Sequence, residues 1–309
     1  MAPEQHNSNS EVKDAWARTG TGAGLGAYFA LTFTMSWLAW WAMVVFRIPA
    51  GSVSPGQPIP TPSGLLLFAL GGFAPSVAGV MMTWRFGGRV GLRDLWKRCT
   101  RFNLGSRPYL VILLAPVLIA GVRMAVQLLR GGHLSLPAVL AQPVLLAGFA
   151  VQIFLFGPVS EELGWRGFAL DRLLARWGSL RSSLVLGAVH AIWHLPLFFV
   201  PGTIQQRWGE PVFHFGVFTL GTLGGAAVFT WLHLATRASV WAAIMYHLAS
   251  NCGTSLVWMS FSGGKVDLLV MALASIGVAA GLILADPKKW RHPKRTMTKE
   301  HADAVFELL

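Results

Sequence analysis

A chain of 309 residues has the length of roughly two soluble domains, yet 54% of it is hydrophobic and only 12% charged, with a mean hydropathy of +0.53; its solvent is the bilayer. Apolar stretches of about 20 residues recur from Leu25 to Ala285 and leave no room for a separate soluble catalytic domain. Cys99 and Cys252 are the only cysteines. One lies in a basic loop and the other in an apolar span, without C-x-x-C or zinc-type spacing, so a disulfide scaffold is excluded. The formal charge of +12 is spread over loops beside the spans. It points to membrane topology and anionic lipid partners, with no nucleic acid expected.

Residues 1–24 form a polar N-terminal segment. The first span is read at 25–46, an anchor with Trp37, Trp40 and Trp41 toward its distal half. A Pro/Gly/Ser linker precedes a second span at 65–84 that contains Pro75. The third, at 109–129, carries Arg123, which is expected to snorkel. These make an N-terminal unit of transmembrane helices, 25–135, with a basic loop. A core unit at 140–258 follows, with spans at 144–158, 183–200, 211–232 and 240–258, and Pro158 loosens the first of these. The unit 259–285 holds the final span, at 268–285, and 286–309 is a basic tail. The expected fold is therefore all-α, a polytopic bundle of about eight spans.

The segment between the second and third spans carries Arg85, Arg89, Arg93, Lys97, Arg98, Arg101 and Arg107, which makes it cytoplasmic. Span parity then places both termini, Arg172, Arg176 and Arg237 on the same side, while the opposite loops are sparse in Lys and Arg.

Polar chemistry enters the apolar chain at three places. After Pro158 the sequence reads Ser160-Glu161-Glu162-Leu163-Gly164-Trp165-Arg166. On a helix Glu162 and Arg166 share a face, whereas Glu161 points about 100° away. Arg166 is thus positioned to hold Glu162 as a structural pair, leaving Glu161 to bind water. Ionisable groups below the headgroups cost several kcal/mol without partners and mark function. The second place is His190-Ala191-Ile192-Trp193-His194-Leu195-Pro196, with the two histidines on one stripe. The third is His247-Leu248-Ala249-Ser250-Asn251, where a spacing of four aligns two groups able to donate hydrogen bonds. Depths of roughly 16 Å for His194 and about 10 Å for His247 from the starts of their spans overlap broadly. Together these residues permit hydrolysis of a peptide bond: Glu161 and His194 deprotonate water, and His247 and Asn251 steady the developing oxyanion. The cavity is expected to open toward the cytoplasm.

At these residues the chain resembles the intramembrane CAAX protease and bacteriocin-processing (CPBP) family, also described as type II CAAX prenyl endopeptidase-like or Abi proteins. The resemblance is strongest from about 157 to 251. It implies an intramembrane endopeptidase that activates water with Glu161 and His194, with His247 and Asn251 as the third-motif pair and Glu162 and Arg166 completing the first motif. His190 departs from the family pattern, which has an aromatic residue there; it either preserves ring packing while adding polarity or tunes the site. The resemblance implies a membrane-associated peptide or protein substrate, not necessarily a lipidated one. The short-looped, Trp/Gly/Arg-rich character suggests a bacterial inner membrane.

No cofactor is expected, but Glu161, His190, His194 and His247 supply enough donors for a zinc-dependent alternative, although H-E-x-x-H is missing. Two further alternatives are a proton-coupled transporter using Glu161, His194, His214 and His247 as a relay, and a noncatalytic membrane interaction protein.

Overall fold

The computed structural model describes residues 23–50, 61–261 and 268–290. These form an all-α, multi-spanning membrane bundle. Among them the only β pairing is an isolated bridge between Leu134 and Phe261. The principal helices are α1 (Ala23–Val45), α2 (Pro62–Cys99), α3 (Ser106–Leu129), α4 (Pro143–Phe154), α5 (Ser160–Gly164), α6 (Leu170–Trp177), α7 (Ser179–Trp193), α8 (Pro211–Ala235), α9 (Val240–Met259) and α10 (Leu268–Ala285). Residues 1–22 and 291–309, on which the polar N-terminal segment and most of the basic tail fall, lie outside the described residues.

Local chemistry sets several boundaries. Thr61 caps α2 by accepting from the Gly64 amide at 3.1 Å, with Pro62 at the first helical position. The helix then runs to Cys99, well past the expected end at 84. Arg89, Arg93 and Lys97 are straight-chain helix formers, and the only break is at Gly88, whose φ of 55° favours glycine. Conversely α7 stops at Trp193 instead of continuing to 200. Pro196 cannot supply the amide that an α-helix needs, so Leu195–Phe198 tightens into a 3-10 turn.

The stretch from α4 to α6 is one long apolar rod, Pro143–Trp177, interrupted by two π-helical turns, Leu155–Val159 and Trp165–Ala169. Pro158 sits in the first of them. The wide turns rotate α5, and with it Glu161 and Glu162, relative to the rod on either side.

Helix α1 packs on α2, α2 on α5, α8 on both α7 and α10, and α9 and α10 on α3. The α2–α5 crossing depends on glycine. A methyl group on Gly79 would lie 2.6 Å from the Gly164 Cα, and one on Gly164 would lie 2.1 Å from the Pro75 carbonyl oxygen. One apolar core gathers Tyr28, Trp40, Trp165, Phe168 and Trp193. A second gathers Val228, Phe229, Trp231 and Tyr246 with residues of α3 and α10. Arg123 is 2% exposed and turns its Nη1 toward the Met271 sulfur at 3.5 Å, so it is buried against α10 rather than snorkelling.

The bundle has two distinct ends. At one, Arg98 reaches the Ala238 carbonyl at 2.8 Å and Asp171 at 2.7 Å, Ser239 bonds the Arg101 carbonyl at 3.0 Å, and Ser179 bonds the Lys289 carbonyl at 2.9 Å. At the other, the Ala50 amide bonds the Pro201 carbonyl at 2.9 Å and the Ser135 amide bonds the Ser260 carbonyl at 2.8 Å. Among the described residues six helices are long and apolar enough to cross a membrane; α7 and α9 are not among them.

Candidate active site

The three polar segments converge where the two cores meet. Glu161 and Glu162 on α5 are 4% and 0% exposed, and they face different partners. Glu162 is gripped by Arg166, whose Nη1 donates to its two oxygens at 2.9 and 3.0 Å, as the spacing of four predicts. The guanidinium lies 3.5 Å from the centroid of the Phe229 ring, a cation–π contact in a desolvated setting. Nδ1 of His247 meets Glu162 Oε1 at 2.6 Å. The buried carboxylate is thereby satisfied on both oxygens.

The direct partner of Glu161 is His190, not His194: His190 Nε2 lies 2.8 Å from Glu161 Oε2. An ionised carboxylate only accepts, so the His190 Nε2–H donates. The His190 ring packs between Trp165 and Trp193 at centroid distances of 5.2 and 5.8 Å. Both possibilities raised by the departure from the family pattern are thus present in one residue, ring packing and a polar contact to the site. His194 directs Nδ1 at the His190 carbonyl, 3.0 Å away. With Nδ1–H donating there, its Nε2 carries a lone pair. Glu161, His190 and His194 each bring one donor atom within 4.8 Å of the others, and so do Glu161, Glu162 and His247.

His247 and Asn251 come together on α9 as expected. A methyl group on Gly157 would sit 2.7 Å from Asn251 Nδ2 and 3.7 Å from His247 Nε2, so the glycine before Pro158 is what lets α9 approach. The His247 bond to Glu162 uses Nδ1. A neutral ring therefore has no proton left on Nε2, and only the imidazolium donates from both nitrogens.

These residues line a cavity of about 780 Å3 that contains Glu161, Arg166, His190, His194, His247 and Asn251. Its remaining wall is drawn from α3, α8 and α9, with Ile119, Gly225 and Tyr246 among them, and from the end of the bundle that joins Ala50 to Pro201, with Pro137, Gly202, Thr203, Trp208 and Met259. None of Arg98, Asp171, His233, Arg237 or Ser239 contributes. His194 stands at the far end of α7, fifteen helical residues from its start at the basic end. Arg207 in this wall was not singled out in the sequence, although it is the only Lys or Arg between α7 and α8. Its Nε is buried without a partner, and burial pulls the guanidinium down from its ordinary value. Phe229, an aromatic in an apolar run, offers no sequence signal for its place beneath Arg166.

Other polar residues fall outside the site. His214 bonds the Glu210 carbonyl at 2.9 Å at the start of α8, and His233 bonds Asp171 at 2.8 Å. Cys99 and Cys252 are free.

Residues 143–253 match the family model described as type II CAAX prenyl endopeptidase Rce1-like. A relative from Methanococcus maripaludis named CAAX prenyl protease 2 is 25% identical over 275 residues, covering 84% of this chain and 93% of the relative. The family match begins at α4 and ends in α9, and so takes in all six of the motif side chains that meet at the cavity; across this core the chain is similar to the type II CAAX prenyl endopeptidase Rce1-like family.

Proposed function

We propose that the chain is an intramembrane endopeptidase that hydrolyses a peptide bond of a membrane-associated polypeptide with water activated by glutamate and histidine. The observation that carries this reading is the approach of the Glu161, His190 and His194 donor atoms to within 4.8 Å of one another in a cavity that also holds His247 and Asn251. His190 occupies one oxygen of Glu161 and leaves the other for water. The His194 Nε2 lone pair is the second acceptor. Water held between them loses a proton to this pair and attacks the carbonyl carbon; the same pair returns the proton to the leaving amine. Asn251 Nδ2 donates to the developing oxyanion, joined by His247 as an imidazolium balanced by Glu162. Glu162 and Arg166 act by holding α5 and His247 in place.

The substrate is a membrane-associated peptide or protein. Apolar walls from Phe68, Phe149, Phe156 and Phe218 suit an apolar segment or an acyl or prenyl chain, and nothing in the mechanism requires the lipid. Eight crossings, with α7 and α9 completing the six apolar rods, put both chain ends at the basic end. That end faces the cytoplasm and anionic headgroups of a bacterial-type inner membrane.

A metal-assisted version of the same hydrolysis is the second reading. The donor set of one carboxylate and two imidazoles suits zinc, and the His194 Nδ1 bond to a backbone carbonyl is the outer-shell contact that ligating histidines make. Glu161, His190 and His194 would hold the ion; His247 stands with Glu162 instead. Bound zinc would supply Lewis-acid polarisation and a more acidic water.

The test is cleavage of a candidate substrate by purified wild type, Glu161→Ala and His194→Ala, the substrate being found as a protein that accumulates in cells carrying Glu161→Ala. Loss of cleavage by both folded variants supports the roles, and equal cleavage by both rejects them. Full activity of metal-free protein after exhaustive chelation eliminates the zinc reading.

A further inference from the structure

Among the residues that line the cavity, Glu161 is the only acid, and Arg166 and Arg207 are the only Lys or Arg. Arg166 is occupied by Glu162, both of whose oxygens accept from its Nη1. Arg207 has no such counterpart. Its Nε is buried without a hydrogen bond, and no acid among the described residues pairs with it. A half-buried guanidinium that lacks an anion has lost hydration without compensation, and a ligand that brings the anion restores what was lost.

The position of Arg207 is fixed relative to the catalytic segment. It closes a single helical turn, Ile204–Arg207, whose cap Thr203 accepts from the Gln206 amide at 3.2 Å and donates to the Val200 carbonyl at 2.9 Å. The Leu197 amide in turn bonds the His194 carbonyl at 2.9 Å. The Phe218 ring lies 5.1 Å from the His194 ring and 6.0 Å from that of Trp208, the residue after Arg207. The turn therefore stands beside His194, at a separation that about three residues of extended peptide cover at roughly 3.3 Å each. Leu197, Trp208 and Phe218 make the wall around it apolar, which strengthens any charge pair formed there.

We propose that Arg207 is a specificity-determining residue whose planar fork receives a carboxylate of the bound polypeptide, a short stretch of chain away from the bond presented to Glu161 and His194. The fork matches the two oxygens of a carboxylate. A carboxylate next to Glu161 is repelled by it, so Arg207 also draws the acidic group clear of the pair that activates water. The carboxylate is the free C-terminus of the bound chain or an Asp or Glu side chain, one chemistry from two sources. The inference rests on the peptidase reading for the nature of the bound chain, and on Arg207 for the charge it carries.

Three fluorescent apolar hexapeptides test this: one with a free C-terminal carboxylate, one with a C-terminal amide, and one amidated with Glu as its last residue. Binding to the purified full chain in detergent is read by fluorescence anisotropy in the Glu161→Ala background, where the peptides are not consumed. At least one acidic peptide is expected to bind about ten- to a hundredfold more tightly than the neutral amide, the range for hydrogen bonds to a charged group. The acidic peptide that shows the preference identifies the source. Arg207→Gln is expected to lower that peptide to the affinity of the amide, and Arg207→Lys, which keeps the charge without the fork, to retain part of the preference. Arg176→Gln, at an exposed cation outside the cavity, is expected to retain all of it. Unfolding temperatures are read alongside, and the Lys variant carries the test if the Gln variant is destabilised. Equal affinity for acidic and neutral peptides, a preference that survives Arg207→Gln, one lost equally in Arg176→Gln, or no binding of any peptide overturns the inference. Cleavage of the same peptides by wild-type protein is the separate measure of the peptidase reading. A preference lost in Arg207→Gln with no peptide cleaved leaves the carboxylate subsite standing and counts against that reading.

Discussion

Glu161 and Glu162 are sequence neighbours whose surroundings set them apart. Glu162 has Arg166 and His247 on its oxygens, while Glu161 has His190 on one oxygen and the cavity beside it. Replacing Glu161 with Gln removes the proposed base without changing shape. The kcat is expected to fall by about 10²–10⁴ with the unfolding temperature in detergent unchanged; wild-type turnover by this variant would sink the assignment. Glu162→Gln leaves the buried Arg166 without its anion, and a loss of about 3–5 kcal/mol is expected, read as a lowered unfolding temperature. His190 presents a sharper contrast. His190→Gln keeps a donor for Glu161, whereas His190→Phe keeps ring volume between Trp165 and Trp193 and loses the bond. If the hydrogen bond orients the carboxylate, His190→Phe lowers kcat by about tenfold, the equivalent of one such bond, with KM unaltered, and His190→Gln retains the rate. Equal kinetics for the two variants would make His190 a packing residue only.

Helices reach their positions through a few backbone approaches that side chains would block. The meeting of α2 with α5 at Gly79 and Gly164 is one, and the meeting of Gly157 with α9 at Asn251 is another. Gly164→Ala puts a methyl group 2.1 Å from the Pro75 carbonyl oxygen, so the two helices must separate. Overpacking of this kind costs about 1–3 kcal/mol, and thermal unfolding of the purified variant is expected to show it. A variant as stable as wild type would mean that α5 shifts along α2 without penalty. The sequence marks these glycines only as small residues in apolar helices, because close approach is a property of two segments and neither one announces it. The interruption near Pro158 was legible, since a proline inside an apolar run loses an amide. The second π-helical turn, Trp165–Ala169, has no comparable signal.

For the whole molecule, the proposed eight crossings add α7 and α9 to the six helices that are long and apolar enough to cross a membrane among the described residues. A fluorescent protein that matures only in the cytoplasm is expected to glow when fused after Leu309 and to stay dark when fused within the connection after α7. A dark C-terminal fusion with full expression would reverse the orientation.

The sequence by itself determined that the protein is a helical membrane bundle and which rare polar side chains form its centre, because hydropathy, spacing of four and the three motifs are local properties. It also determined which end carries the positive charge. Only the tertiary structure decided the pairings inside that centre: His190 on Glu161, and His247 on Glu162 instead of free beside Asn251. Both depend on how helices distant in the chain rotate and cross. A side chain's depth along its own helix says which groups share a level, but not which of them touch or where the space between them leads.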